Sequence, residues 1–444
     1  MKIKMPDEVK IILSILSDNN YEGYIVGGCV RDSLLKKEAK DWDITTNAKP
    51  KEVIMLFEKK YKVVPTGLKH GTVTIIINNQ NFEVTTYRIE GEYIDNRRPD
   101  RVEFTNNIKE DLKRRDFTIN AMAYNDYLGL YDPFLGIEDL KDKKIKCVGS
   151  PKERFEEDAL RILRGVRFAT QLNFCIDNNT ASAMRLKGYL LNNISKERVR
   201  DELCKILFSK KPSIGFEILK DLKLLDFTIP ELKPCIEFEQ NNPHHDKNVF
   251  DHILSVVDNT PNNLIVRLSA LLHDIGKPKC FTLDDKGIGH FYRHELESEV
   301  MARDILKRLR FDNKTIDLVC VLIKEHMNKG DIKKDKTVKK LINRVGIENI
   351  DNLFYLQIAD RKGTLKENDI EDILKLKEKV YEILHENQPL TVKDLAINGN
   401  DLIKMGYNPG KQIGELLNYL LDLVLENSEI NKKDKLIDLI KNKI

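Results

Sequence analysis

Apolar residues recur at three- and four-residue spacing in Val9, Ile12, Leu13 and Leu16, which predicts an amphipathic helix over residues 6–18. The period then shortens. Strand-like runs occupy 24–26, 42–46, 72–77 and 82–87, with a helical stretch near 50–60 between them. Asn78-Asn79-Gln80-Asn81 separates two of these runs and predicts an antiparallel hairpin. After Pro151 the helical period returns and persists through 155–170, 180–191, 197–208 and 213–225, punctuated by Pro212, Pro230, Pro234 and Pro243. Residues from 244 to about 365 read as helical and histidine-rich. The remainder is helical with one turn at Gly406 to Gly410. The pattern predicts an α+β chain: a mixed segment over 1–150, then helical segments over 151–240, 241–365 and 366–444.

Composition narrows the class. A chain of 444 residues exceeds one hydrophobic core, and 41% apolar content with sustained periodicity fits folded domains. The formal net charge is only +3, so a nucleic-acid surface must be a local patch rather than a global field. Seven cysteines without CxxC spacing predict free thiols and a reducing cytoplasm. Charges interrupt the first twenty residues, which argues against a signal peptide, and no apolar run reaches membrane-spanning length.

The chemistry begins at Gly27-Gly28-Cys29-Val30-Arg31-Asp32, which follows the apolar run Tyr24-Ile25-Val26. Two glycines allow a tight turn with close backbone approach, and a helix start with Arg31 suits a phosphate chain. Asp41 and Asp43 lie two apart, so on a strand both face one way. Paired carboxylates can hold Mg²⁺ between a triphosphate and an attacking hydroxyl. Glu83, on a later strand, is open to three roles: a third carboxylate near the metals, a base for the hydroxyl, or an ordinary surface acid. Arg114 and Arg115 precede Asp116 at the start of a helix-like segment and suit bidentate phosphate binding. Glu156 to Arg167 reads as one helix that puts Asp158 and Arg161 on a shared face, with Arg164 next along it. A carboxylate beside a guanidinium complements the amino donor and ring-nitrogen acceptor shared by cytosine and adenine. Guanine and uracil reverse that order.

Together these motifs resemble the tRNA nucleotidyltransferases, the CCA-adding enzymes of the bacterial and eukaryotic class in the polymerase β-like superfamily. The resemblance covers nearly the whole chain. It implies a polymerase β-like nucleotidyltransferase head over 1–150, a neck and body over 151–240 and a tRNA-binding tail over 366–444. It implies Mg²⁺ at Asp41 and Asp43. It implies ATP or CTP at Gly28, Arg31, Arg114, Arg115, Asp158, Arg161, Arg164 and Arg167. The implied partner is the acceptor arm and 3′ end of tRNA, with no membrane and no DNA. Thr66 to Val73 is similar to the CCA-adding form rather than to poly(A) polymerases. Tyr87 through Pro99 looks like the flexible loop that CC-adding enzymes lack. Poly(A) polymerase and an enzyme adding only A remain the alternatives at this point. A further alternative, from another class, is a phosphohydrolase with an RNA-binding head.

Six of the nine histidines lie between His244 and His294. His273-Asp274 follows an apolar helix, His252 lies on the preceding one, and His326 and Asp360 come later. Imidazoles and carboxylates from separate helices are ligand types for a divalent ion. The set resembles an HD phosphohydrolase domain over 241–365. The resemblance implies His252, His273, Asp274 and Asp360 as ligands of Mg²⁺ or a divalent transition metal. His294 and His326 match places used by two-metal members. Such a site would act on phosphomonoesters or 2′,3′-cyclic phosphates. Basic clusters at Asn328 to Arg344 and at Lys196, Arg198, Arg200, Lys205, Lys210 and Lys211 are open to either tRNA phosphates or solvent.

Overall fold

The computed structural model describes residues 2–91, 101–241, 247–328, 334–364, 369–386 and 388–441. The chain forms two compact units, Met1–Pro230 and Glu231–Ile444.

The first unit opens with α1 (Asp7–Asp18), whose Val9, Ile12, Leu13 and Leu16 are all buried. Then come β1 (Gly23–Val26), α2 (Gly28–Leu34), β2 (Ile44–Thr46), α3 (Pro50–Phe57), β3 (Lys62–Gly67), β4 (Thr72–Ile77) and β5 (Gln80–Thr86). A short ladder, β6 (Arg88–Glu90) with β7 (Val102–Phe104), precedes α4 (Ile108–Lys113), β8 (Ala123–Asn125) and β9 (Gly129–Tyr131). The main sheet has seven strands in the order β3-β4-β5-β2-β1-β8-β9. Within it β2 and β5 run parallel, and the other neighbours are antiparallel. Side chains of α1 pack on the sheet with Ile25, Ile44, Val73, Ile75 and Val84. Asn78 and Asn79 both take positive φ, which closes the hairpin between β4 and β5 in two residues. After α5 (Gly136–Lys141) comes a two-stranded parallel pair of β10 (Lys144–Ile145) and β11 (Cys175–Ile176). The helices α6 (Pro151–Glu157), α7 (Leu160–Leu172), α8 (Asn178–Lys187), α9 (Lys196–Leu207) and α10 (Ser213–Asp221) complete the unit.

Among the described residues the second unit is helical apart from the small hairpin of β12 (Thr282–Leu283) and β13 (Gly289–His290). Its helices are α11 (Val249–Asp258), α12 (Leu264–Leu272), α13 (His294–Arg308), α14 (Asn313–Glu325), α15 (Asp335–Val345), α16 (Ile350–Gly363) and α17 (Glu371–His385), then α18 (Gly399–Lys404), α19 (Lys411–Glu426) and α20 (Lys433–Lys441). Asn248, Asn263 and Asp312 cap α11, α12 and α14 by accepting from free backbone N–H groups at their starts. Among the described residues no helix is long and apolar enough to cross a membrane. All seven cysteines are free thiols.

Four expectations from the sequence are corrected. The helix expected through Glu156 to Arg167 breaks at Asp158, where φ −134° and ψ 102° end α6. Its carboxylate then accepts from Leu160 N at 3.1 Å and starts α7 as a cap. Arg114 and Arg115 do not start a helix but follow the end of α4, whose start is capped by Asn107. Cations suit that end of the helix dipole. The strand expected from residue 42 begins at Ile44, although Val26 N still donates to Asp43 O at 3.0 Å. Of the loop expected from Tyr87 through Pro99, Arg88–Glu90 instead form β6 against β7, and residues 92–99 lie outside the described residues.

Candidate nucleotide site and candidate metal centre

Asp41 and Asp43 are exposed at the entry to β2, while Trp42 between them turns inward against the core. The strand that would fix both carboxylates on one face starts only at Ile44, but both lie beside the inward Trp42 and the charge of Asp41 reaches Asp43. Neither side chain accepts a protein hydrogen bond among the described residues. The Asp43 carboxyl is raised above its ordinary range, first by desolvation, with the charge of Asp41 adding and Arg115 opposing. Ile44 pairs with Val84 in the parallel ladder, so one register step back sets Asp43 beside exposed Glu83.

Gly27 turns the chain from β1 into α2 at φ 80°. A Cβ there would be strained and would stand 3.1 Å from a terminal nitrogen of Arg115. The turn thus admits Arg115 beside Gly27, where the chain enters α2. Arg31 donates to Asn120 Oδ1 at 2.7 Å and pairs with Asp32 at 2.8 Å.

Buried carboxylates that the sequence reading missed hold the other arginines. Asp111 is fully buried and accepts from Arg114 Nε at 3.0 Å, lies 3.5 Å from Arg115, and accepts from Arg88 N at 3.2 Å. Glu90 takes Arg114 at 3.1 Å. Glu202 takes Arg167 at 3.0 Å, and burial pushes the Arg167 guanidinium down to about 10. Asp116 accepts from Arg164 Nε at 2.8 Å. Spacing of three and four from Asp111 to Arg114 and Arg115 was the available signal. Arg31, Arg164 and Arg167 then converge on one ring, with guanidinium carbons 5.2, 5.4 and 4.3 Å from the Phe168 centroid.

Asp158 and Arg161 do not pair. Asp158 Oδ2 accepts from Arg198 at 3.2 Å. Arg161 is buried and donates to Glu157 Oε2 at 2.5 Å, Arg154 O at 3.1 Å and Arg114 O at 2.9 Å.

Asp116 yields a pH prediction. Burial alone would raise its carboxyl, but Arg164, Asn120 and the Phe117 N–H hold it down to about 2. A depressed carboxylate stabilises the fold above the unfolded value near 3.9 and loses that contribution as pH falls through the folded value. Between pH 5 and 2 the loss is about 2 kcal/mol, roughly half of it by pH 3. Asp116→Asn should therefore show a flatter dependence of urea stability between pH 5 and 3 than the unmodified chain. Equal slopes would contradict the ion pair.

In the second unit five helices bring six ligand-type side chains to one point. His252 comes from α11, His273 and Asp274 from the end of α12, His294 from the start of α13, His326 from the end of α14 and Asp360 from α16. All but Asp360 are buried. His252 Nε2 lies 3.0 Å from Asp360 Oδ1 and 3.3 Å from Asp274 Oδ2, and His273 Nε2 lies 3.2 Å from Asp274 Oδ2. On the other side Asp274 Oδ1 is 3.2 Å from His294 Nε2 and 4.0 Å from His326 Nε2. Asp274 thus bridges two ligand groups, His252 with His273 and His294 with His326.

Three of these rings have a fixed tautomer. Nδ1 of His273, His294 and His326 donates to the carbonyl three residues earlier, Ala270, Phe291 and Ile323, at 2.8, 2.8 and 2.6 Å. Each Nε2 then faces inward, the orientation that suits metal-binding imidazoles. His294 Nε2 and His326 Nε2 stand 3.4 Å apart. Two lone pairs at that distance repel unless a cation or proton lies with them. Asp274 Oδ2 also lies 2.8 Å from Lys277 Nζ, while Oδ1 faces the histidines with no hydrogen-bond donor of its own. Burial lowers the His273 imidazole, but Asp274 and Asp360 win and push it up to about 10. Burial and the neighbouring imidazoles push His326 down to about 3. The imidazole and carboxylate donor set fits a divalent ion.

Comparison with known proteins adds independent findings. The poly A polymerase head domain matches residues 23–146, the RNA- and SrmB-binding site of polymerase A matches 173–236, and tRNA nucleotidyltransferase domain 2 matches 292–440. A protein of Lactobacillus helveticus named CCA-adding enzyme is 33% identical, over 97% of this chain and 96% of its own. One of Ligilactobacillus salivarius with the same name is 34% identical, over 98% and 96%. The crystal structure of Bacillus stearothermophilus CCA-adding enzyme in complex with CTP is similar at TM-score 0.71 and 26% identity, over 99% of each chain. Thermotoga maritima CCA-adding enzyme complexed with tRNA shares the fold at TM-score 0.56 and 21% identity.

Proposed function

This chain belongs to the CCA-adding enzymes, and from that premise we propose how its residues divide the work. The reaction is template-independent addition of CCA, from CTP and ATP, to the 3′ end of tRNA by nucleotidyl transfer. Enzymes of this class need a divalent metal. Mg²⁺ at Asp41 and Asp43 is supported by two exposed carboxylates close enough for one charge to act on the other, neither with a protein hydrogen bond among the described residues. Hard oxygen donors suit that ion, which supplies charge neutralisation at the phosphates. The β2–β5 register supports Glu83 as a third carboxylate of the same edge. The convergence of Arg31, Arg164 and Arg167 on Phe168 is the observation that carries the nucleotide site. With Gly28, Arg114 and Arg115, these cations take the triphosphate. Free thiols support a cytoplasmic setting.

Asp158 and Arg161 read the base in this proposal. To do so Arg161 must leave Glu157 and Arg154 O, and Asp158 must turn from Arg198. The test is nucleotide choice. Asp158→Ala should raise misincorporation of UTP and GTP about tenfold or more relative to CTP and ATP, because the wrong bases no longer strand a buried acceptor. Unchanged selection would remove Asp158 from base reading.

The histidine centre supports a second activity, metal-dependent phosphohydrolysis by an HD-type domain. His252, His273, Asp274 and Asp360 would hold one divalent ion, with His294 and His326 completing a second position on Asp274. A bound ion there supplies Lewis acidity toward a phosphate. The carrying observation is the set of three inward-facing imidazoles fixed by carbonyls.

A further inference from the structure

Phe168 lies on α7 and is 7% exposed. The guanidinium carbons of Arg31, Arg164 and Arg167 stand 5.2, 5.4 and 4.3 Å from its ring centroid. Three like charges around one ring call for a physical cause, because they repel. Burial lowers the Arg167 guanidinium, and the charges of Arg164 and Arg31 lower it further against Glu202.

Carboxylates offset these charges but do not gather them. Arg31 pairs with Asp32, Arg164 with Asp116 and Arg167 with Glu202, three acids on three separate segments of the chain. Asn120 joins the first two pairs, since it accepts from Arg31 and donates to Asp116 Oδ1 at 3.1 Å. Glu202 instead takes Arg167 together with Lys205, each at 3.0 Å. What the three arginines share is the Phe168 ring. The face of an aromatic ring is negative and attracts cations, and unlike a carboxylate it occupies none of their N–H donors. A guanidinium held this way keeps more of its five donors for phosphate oxygens.

The ring is itself fixed in place. It forms a T-shaped pair with Phe117, with centroids 5.9 Å apart and planes at 82°. Phe117 is fully buried and fits because residue 165 is glycine. A Cβ at Gly165 would stand 3.0 Å from Phe117 Cζ and collide with Met184.

We propose that Phe168 is a positioning residue for nucleotidyl transfer: its ring gathers Arg31, Arg164 and Arg167 into one cationic surface for the triphosphate of CTP or ATP. This rests on the nucleotide-site reading of the same arginines. The ring touches no base in this arrangement, so CTP and ATP are affected alike.

The test weakens the attraction while leaving the size of the side chain almost unchanged. Fluorine draws electron density from the ring face, so phenylalanine carrying one, two or three ring fluorines at position 168 of the full-length protein holds cations progressively less well. The Kd for CTP and for ATP should rise stepwise with the number of fluorines, to about tenfold at three. Inorganic triphosphate should follow the same order. Phe168→Leu should raise KM for both nucleotides about tenfold with kcat within about threefold, whereas a misfolded fraction would lower kcat and leave KM unmoved. Arg31→Gln separates the two readings. A weaker Kd for inorganic triphosphate in Arg31→Gln, with no change along the fluorine series, would overturn the role of Phe168 and leave the nucleotide site standing. No change in either would overturn both.

Discussion

Asp43→Ala should lower the rate of CMP transfer to tRNA by roughly a thousandfold or more, the scale expected when a metal-binding carboxylate is lost from a phosphoryl-transfer site. The fold should survive. Asp43 is exposed, its side chain holds no protein hydrogen bond among the described residues, and its neighbour Trp42 carries the core contact. The two effects can therefore be separated. A circular dichroism melt should stay within a few degrees while single-turnover transfer collapses. Asp41→Ala should behave alike, since both carboxylates are exposed and the charge of Asp41 reaches Asp43. Loss of activity with loss of the melt would assign Asp43 a structural role instead. The same change should leave metal-dependent phosphatase activity intact, because the histidine centre is built wholly from the second unit.

The reciprocal change has the second large effect. His273→Ala removes a fully buried imidazole whose Nε2 faces Asp274 at 3.2 Å. It should abolish metal-dependent phosphatase activity, by at least a hundredfold, and reduce the divalent metal retained after gel filtration. CCA addition should stay within about twofold. A His273→Ala protein that kept its metal and its phosphatase activity would exclude the centre as a hydrolytic site. Removal of metal by a chelator should inhibit both activities, and restoring Mg²⁺ alone would show whether one ion serves both.

Much of the candidate chemistry was legible in residue types and spacing. Gly27, Gly28 and Arg31 form the expected turn, and Asp41 and Asp43 are exposed on either side of Trp42, which packs on the core. The histidines assemble as their order suggested. What spacing did not carry was geometry finer than a helical face. The tautomers of His273, His294 and His326 depend on each ring lying over the carbonyl three residues back, which only the local backbone defines. The break at Asp158 competed with an unbroken apolar period, and the period was misleading because an aspartate can cap a new helix inside it. The strands β8 and β9 have three residues each, too few for alternation to register. Asp111 and Glu202 drew no role from the sequence because nothing in one sequence shows that they are buried.

The most direct measurement follows the nucleotides added to a tRNA transcript that lacks its terminal CCA. With Mg²⁺, CTP and ATP, the product should end in CCA, three residues longer, and CTP alone should stop it at CC. Products that never pass CC, that require CC already in place, or that grow as long A tails on unstructured RNA would contradict the assignment of full CCA addition to this chain.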